Sequence, residues 1–138
     1  MKFEVKPHEG VNNLKFGMTP GEVKKIMGEP DKIRNPNKYG NSTRYFYFDI
    51  DFFLDFNKDN ELFFFEFGGF GSVFFKNIKL TNKDFKNTLE QLKDLGYEFY
   101  EDPEDLGAYC FDSIGICVYS PSGVFQSLSV YPKGLYDK

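Results

Sequence analysis

The feature that most constrains this fold is an alternation of apolar and polar residues between positions 44 and 67. The segment reads RYFYFDIDFFLDF, then NKDN, then ELFFFEF. A period of two residues predicts β-strands, and Asn and Asp between two such runs predict a hairpin turn. The segment therefore predicts one long strand, a turn and a returning strand.

Residues 55–66 of this stretch also allow a second interpretation. The letters DFNKDNELFFFE place oxygen-bearing side chains at the spacing of a calcium loop, with Glu66 at the position of the bidentate carboxylate. Two observations favour the hairpin. Asn60 stands where a calcium loop needs glycine, and both flanks have strand patterning instead of helix patterning.

Two helices are expected outside this segment. Thr19 and Glu22 form the pattern of a capping box, and Gly28 marks the end of the first helix. A second helix is predicted to start near Thr81 and to end at Gly96. The apolar face of the first helix comprises Val23, Ile26 and Met27. The apolar face of the second comprises Phe85, Leu89, Leu92 and Leu95.

The two halves of the chain resemble each other when one is moved by 63 positions. Phe48-Asp49 then falls on Phe111-Asp112, and Phe65 falls on Leu128. We interpret this as two copies of a helix followed by about three strands, at about 11–75 and 76–131. A unit of this size buries little apolar surface alone. The predicted fold is therefore α+β, with two tandem helix-plus-antiparallel-sheet units in a single compact domain over residues 1–138.

The repeat also predicts which strand residues face the core. The inward set is Phe52, Leu54, Phe65 and Phe67, with Gly115, Cys117, Leu128 and Val130 as their counterparts. The outward set is Phe53, Asp55, Leu62, Phe64 and Glu66, with Val118, Phe125, Ser127 and Ser129 as their counterparts. Asp51 joins the outward set if the turn there is tight.

An outward face with large aromatics between carboxylates has the composition of a protein-binding surface. The candidate partner-binding residues are Asp51, Phe53, Asp55, Phe64 and Glu66. Carboxylates at these positions would steer a basic partner. Two alternatives remain open: the face packs on the other half of the chain, or it closes a homodimer.

Catalytic patterns are not found in the sequence. The only histidine, His8, lies between Pro and Gly residues and is expected to be solvated. There is no nucleophile elbow, phosphate loop or zinc-binding cluster. Asp49, Asp51 and Asp55 share a face if their strand is continuous, and a solvated strand face is favoured over an acid–base pair. The sequence therefore predicts a protein that is not an enzyme and that binds no cofactor or metal.

Charge and hydropathy exclude further classes. The net charge is −4 and the isoelectric point is about 5.0, which disfavours nucleic-acid binding. The first residues contain no apolar signal-peptide core, and no apolar run is long enough to span a membrane. The chain is thus expected to be cytoplasmic. Cys110 and Cys117 are expected to be buried thiols, and residues 132–138 to be a loose tail.

Residues 13–30, NLKFGMTPGEVKKIMGEP, resemble the first helix of the BamE (SmpA/OmlA) and β-lactamase-inhibitor-protein group. In that group a short helical unit precedes a small antiparallel sheet, and the inhibitors carry the unit twice. The resemblance implies the tandem fold. From the sequence we expect neither a signal peptide nor a lipidation cysteine, so the resemblance is not expected to extend to outer-membrane assembly.

The whole chain also looks like the immunity proteins of bacterial polymorphic toxin systems, which are small, acidic, cytoplasmic and aromatic-rich α+β proteins. That resemblance implies a non-enzymatic inhibitor that binds and neutralises a cognate toxin, with a basic, nuclease-like domain as the expected target. The alternatives are a small-molecule or calcium-binding module and a dimeric structural protein.

Overall fold

The computed structural model describes residues 2–38, 40 and 42–135, which form an α+β fold. The helices are α1 (Pro20–Met27) and α2 (Phe85–Asp94). The strands of the first half are β1 (Lys2–Lys6), β2 (Gly10–Val11), β3 (Leu14–Lys15), β4 (Lys32–Arg34), β5 (Thr43–Tyr47), β6 (Phe52–Phe56), β7 (Leu62–Phe67), β8 (Ser72–Phe75) and β9 (Ile78–Lys79). Those of the second half are β10 (Tyr100–Glu101), β11 (Ala108–Phe111), β12 (Ile116–Tyr119) and β13 (Ser127–Val130).

These strands form two sheets. The large sheet has eight strands in the order β10-β11-β12-β13-β7-β6-β5-β4, and every neighbouring pair is antiparallel. Its two halves meet where β7 pairs with β13 and Glu66 lies opposite Ser129. The small sheet has five strands in the order β3-β2-β1-β8-β9.

The core lies between the small sheet, the helices and one face of the large sheet. The Phe3 ring of β1 lies 5.6 Å from the ring of Phe52 and 5.1 Å from that of Phe67. Phe85 of α2 contacts Tyr109 of β11, with 5.6 Å between the ring centroids. Each buried ring of this kind stabilises the fold by about 2 kcal/mol. Since all these contacts involve the same side of the large sheet, we call that side the inner face.

Helix α1 is confirmed, and its capping box forms between Thr19 and Glu22. The predicted start of the second helix is wrong. Thr81 is buried and its hydroxyl accepts a hydrogen bond from the Val73 N–H at 3.2 Å, so the helix begins only after Asp84. Each predicted apolar face includes one residue that is largely exposed, whereas Met27 of the first face packs against the core. Ile26 is 45% exposed and Leu95 is 55% exposed.

The long strand predicted across residues 44–56 is in fact two strands. A 3-10 turn, Phe48–Ile50, interrupts it, and Asp51 takes the left-handed conformation with φ of 52°. Aspartate tolerates this region better than most residues because its short polar side chain forms local hydrogen bonds. The chain reverses here and places Tyr47 opposite Phe52. Consequently Asp49, Asp51 and Asp55 do not share one strand face.

The predicted hairpin of residues 52–67 is confirmed as β6 and β7. A bulge between Asp55 and Phe56 shifts the register, so Phe56 pairs with Leu62. The side chain of Leu62 is 1% exposed, and its predicted outward position was wrong. An extra residue in one strand changes which side chains point inward, and the sequence pattern alone did not reveal it.

The inward and outward residues of β12 were also assigned wrongly. Val118, predicted to face outward, is fully buried, and Cys117, predicted to face inward, lies half-buried on the opposite side of the strand. Gly115, which precedes β12, is buried as predicted. Phe125, predicted to face outward, is 6% exposed. In the structure, the residues of β12 that correspond to those of β6 lie one position further along the chain than the match at 63 positions assumes. Because the side chains of a strand alternate between two faces, this difference of one residue reverses the predicted inward and outward sets.

Cys110 and Cys117 lie opposite each other on β11 and β12 and form a disulfide, so the prediction of two thiols was wrong. His8 is also not freely solvated. Its Nε2 lies 3.0 Å from the carbonyl oxygen of Ser113, and its Nδ1 is buried. The cysteines become partners through the register of β11 and β12, whereas His8 and Ser113 are 105 positions apart, a contact that no local pattern predicts.

Within the described ranges, neither helix has the length and apolar character needed to cross a membrane. The chain is described as far as Leu135. The loose tail predicted from the sequence continues over 136–138, which lies outside the described residues.

Candidate functional site

The candidate site is the side of the large sheet opposite the core, which we call the outer face. One row of side chains crosses all eight strands here. In order it comprises Lys32, Phe46, Phe53, Glu66, Ser129, Cys117, Cys110 and Tyr100. Because α1, α2 and the small sheet pack on the inner face, the described helices leave the outer face open to solvent.

Phenylalanine rings form a ladder on the outer face, which we call the aromatic ladder. It runs in the order Phe48, Phe46, Phe53, Phe64 and Phe63, with neighbouring centroids 5.9, 5.9, 6.4 and 6.3 Å apart. Phe48 is 60% exposed, and the other four rings are half-buried. Scattered exposed apolar residues are normal on a protein surface, but a contiguous aromatic patch marks an interaction surface.

Asp55 lies beside the ladder but is already paired. Its two carboxylate oxygens accept hydrogen bonds from Arg44, at 2.7 Å from Nε and 2.9 Å from Nη2. The Arg44 guanidinium also stacks 3.7 Å above the centre of the Phe53 ring. Asp55 is only 5% exposed. Its charge is therefore neutralised within the protein, and it holds Arg44 and Phe53 in place.

Asp51 lies apart from the ladder, at the edge of the sheet. Its carboxylate accepts a hydrogen bond from the Phe70 N–H at 3.3 Å. The same carboxylate fills the space that a Cβ on Gly68 would occupy, so only glycine fits at position 68. The side chain of Asp51 thus orders the loop at 68–71.

Glu66 lies at the centre of the outer face. Burial raises the pKa of its carboxyl group, while the Arg44 charge and a 3.4 Å hydrogen bond from the Ser129 hydroxyl act in the opposite direction. This carboxylate is already partly desolvated in the free protein. A cationic group that pairs with it would therefore remove less water from it than from a fully exposed carboxylate.

A concave region beside Glu66 has a volume of about 870 Å³. Its floor is the outer face of β11–β13, and its wall is the loop that follows β10. The polar and aromatic residues that line it include Glu66, Tyr100, Asp102, Glu104, Asp105 and Tyr119. Within the described part of the chain no lysine or arginine lines it, so the region favours cationic groups.

The turn after β6 has the geometry of a hairpin. The side-chain oxygen of Asn57 accepts hydrogen bonds from the N–H groups of Asp59 and Glu61, both at 3.0 Å. These bonds occupy an oxygen that a calcium loop would direct at the ion. Among residues 2–38, 40 and 42–135, no three His, Cys, Asp or Glu side chains come together as a metal site.

The structure thus brings three of the five predicted site residues together as available groups: Phe53, Phe64 and Glu66. Asp55 is on the same face but is internally paired, and Asp51 is at the edge. The sequence analysis missed Phe46 and the carboxylates at 102–105. The run EDPED, without any neighbouring base, was the available signal for the latter. Phe46 joins the ladder only because β5 folds back on β6.

Comparison with protein-family models, with curated proteins and with solved structures finds no match to this chain. The function is therefore inferred from the geometry of the outer face.

Proposed function

We propose that this chain is a non-enzymatic protein inhibitor of the immunity-protein kind, which binds and neutralises a cognate toxin through its outer face. The observation that carries the proposal is the aromatic ladder on an open sheet face, next to Glu66 and the acidic concave region. Aromatic rings in a patch supply most of the binding energy in protein interfaces, and carboxylates supply orientation.

The charge of the concave region supports a basic partner. Glu66, Asp102, Glu104 and Asp105 line it, and no lysine or arginine of the described chain does. Opposite charge accelerates association and rejects like-charged partners. A basic toxin domain fits this chemistry, whereas nucleic acid, with its phosphate backbone, does not.

We also infer that the large sheet arose from two tandem units, as the resemblance to the β-lactamase-inhibitor-protein group implies. The order of strands supports this, since β4–β7 and β10–β13 extend in mirror order from the β7–β13 seam. The seam pairs Phe65 with Val130 and Phe67 with Leu128, on either side of Glu66 and Ser129. A two-fold axis at this pair would exchange the halves, and such a duplicated sheet offers a broad single surface.

The proposal is tested by affinity capture from a lysate of the source organism with the Phe64→Ala/Glu66→Gln variant beside the unmodified chain. We expect one basic protein to be captured by the unmodified chain and lost with the variant, and its toxic activity to be inhibited by the unmodified chain. Phe74→Ala/Glu90→Gln is the matched control because it removes a half-buried phenylalanine and an exposed carboxylate away from the outer face.

Two results would contradict the proposal. Recovery of the chain alone, as a second copy, would favour a homodimer closed by the aromatic ladder. A shift in melting temperature with Ca²⁺ or a polyamine, without any protein partner, would favour a small-ligand module, because a ligand that binds only the native state stabilises it.

A further inference from the structure

We propose that one edge of the large sheet, formed by four loops, is a docking surface for a basic protein with an apolar-lined cleft. The loops are 48–51, 68–71, 102–107 and 120–126, and we call them together the loop edge. This inference rests on the proposed function and specifies the partner and the surface.

The register of the sheet places these loops side by side. Tyr47, Phe52 and Phe67 form one row with Leu128, so the loops at 48–51, 68–71 and 120–126 start at the same edge. Ala108 lies opposite Tyr119, which adds the loop at 102–107 to that edge. With about 4.8 Å between neighbouring strands, the loop edge extends over about 24 Å.

Each of the four loops carries one exposed apolar side chain. These are Phe48 at 60%, Phe70 at 89%, Leu106 at 73% and Val124 at 51% exposure. The opposite edge provides a comparison within the same sheet. Its turns at 57–61 and 112–115 contain no exposed large apolar residue among those the structure describes, and their one apolar side chain, Ile114, is fully buried. These two turns therefore differ from the four loops of the loop edge, although Leu135, which follows β13 at the opposite edge, is 36% exposed.

The charges that the four loops themselves carry all have one sign, and the side chain of Lys86 on α2 approaches Gly123 in one of them. The loops contain the carboxylates Asp49, Asp51, Asp102, Glu104 and Asp105, and no lysine or arginine. Asp49, Glu104 and Asp105 are exposed. The side chain of Asp102 accepts a hydrogen bond from the Glu104 N–H at 2.9 Å and so shapes its own loop. An edge with exposed apolar side chains and exposed carboxylates requires a partner that is both apolar and basic.

The loops are tied together in pairs. The Gly68 N–H donates to the Asp51 carbonyl oxygen at 2.8 Å, which joins the loops at 48–51 and 68–71. The Ser120 N–H donates to the Gly107 carbonyl oxygen at 2.7 Å, and the Gly107 N–H donates to the Glu101 carboxylate at 2.9 Å. The first of these bonds joins the other two loops, and the second holds the loop at 102–107 to the end of β10. Ordered loops lose less conformational entropy on binding, so their exposed side chains are suited to act as anchors.

The same charges exclude other occupants. A second copy of this chain would bring like charges against each other across the edge, which costs binding free energy. Nucleic acids and anionic lipid surfaces are repelled for the same reason. The loop at 102–107 also forms the wall of the concave region on the outer face, so the loop edge is continuous with the face proposed for inhibition.

The test is site-specific photo-cross-linking in cells of the source organism. The full chain carries p-benzoyl-phenylalanine in place of Phe70, Leu106, Phe53 or Lys58, one position at a time. We expect adducts with one positively charged protein from the Phe70 and Leu106 positions, and none from Lys58, which lies in a turn at the opposite edge. Adducts from Phe53 alone would overturn the loop edge and leave the proposed function standing. Adducts with a second copy only, or no adduct at any position, would overturn both.

The second step uses the cross-linked partner in purified form. Phe70→Ser and Leu106→Ser are each expected to raise the dissociation constant about tenfold or more, since exposed apolar anchors carry much of the binding free energy. Leu95→Ser is the matched control, because Leu95 is 55% exposed at the end of α2. Unchanged affinity of both loop variants would overturn the loop edge. Because all three residues are exposed, the melting temperatures of the three variants should remain close to that of the unmodified chain.

Discussion

At the scale of single residues, the outer face depends on the pairing of Arg44 with Asp55. The guanidinium is shared between two carboxylate oxygens and the Phe53 ring. A bidentate pair of this kind fixes the geometry of both partners. Asp55 is predicted as a contact for a basic partner, and in the structure its carboxylate is paired with Arg44. A charge reversal at this position would therefore disturb folding as well as binding.

We expect Asp55→Ala to lower the free energy of unfolding by about 3 kcal/mol, because it leaves the Arg44 charge partly buried and without its partner. Urea denaturation followed by circular dichroism measures this. Asp59→Ala, in the exposed turn, is the control and should change the free energy by less than about 0.5 kcal/mol. The free energy of unfolding should fall less in the double variant Arg44→Leu/Asp55→Leu than in Asp55→Ala, since no unpaired charge remains. A double variant less stable than Asp55→Ala would contradict the role of the unpaired Arg44 charge.

The raised pKa of Tyr47 leads us to expect a loss of stability at high pH. Burial, followed by the charges of Tyr45, Glu29 and Asp31, raises the pKa of Tyr47 to about 12. The unfolded value is about 10, so the native state holds this proton more tightly. The contribution of this bound proton to the free energy of unfolding is fully present below pH 10 and is lost as pH rises towards 12.

The measurement is urea denaturation at several pH values for the unmodified chain and for Tyr47→Phe. Tyr47→Phe also removes the 3.0 Å hydrogen bond to the Gly28 carbonyl oxygen, so it should be less stable by about 1 kcal/mol at pH 7. We expect the difference between the two proteins to shrink between pH 10 and 12. A constant difference across that range would show that Tyr47 does not titrate as proposed.

At the scale of elements, pairing between neighbouring strands decides features that a single strand does not contain. β11 and β12 are short, and their register places Cys110 opposite Cys117. The resulting disulfide lies on the floor of the acidic concave region. It links two strands that carry much of that floor, so it stabilises the site as well as the sheet.

Reduction of this disulfide is expected to lower the free energy of unfolding by about 2.5 kcal/mol, the loop-entropy value for cysteines separated by 7 positions. Urea denaturation with and without dithiothreitol measures the effect. Cys117→Ser serves as the control, because it cannot form the bond and should be insensitive to the reductant. Equal stability of the unmodified chain in both conditions would mean that the disulfide contributes nothing to folding.

At the scale of the whole molecule, the β7–β13 seam makes one sheet from the two halves of the chain. The small sheet packs next to this seam, since Phe3 of β1 contacts Phe67. Among the described residues, buried apolar side chains from both halves belong to one cluster. The single domain over residues 1–138 stays a prediction.

We therefore expect a single cooperative unfolding transition. Far-ultraviolet circular dichroism reports the strands, and near-ultraviolet circular dichroism reports the packed tyrosines. With the disulfide intact, both signals should give the same midpoint in urea, as in other domains of this size. Two separated midpoints would mean that the halves unfold independently and that the seam contributes little.

The sequence by itself determined the features that depend on neighbouring residues. Local hydrogen bonding and periodicity determine the capping box of α1, the strands on both sides of residues 57–61 and the α+β class. These patterns repeat every two or four residues, so short segments contain the necessary information.

Only the tertiary structure decided the composition of the outer face. Three features change which side chains point to the outer face: the turn at Asp51, the bulge at Phe56 and the one-residue displacement along β12. Such choices depend on how strands from distant positions pair, because the free energy of pairing comes from contacts across the sheet. The same long-range pairing brings four loops to one edge, and no local pattern in the sequence contains that arrangement.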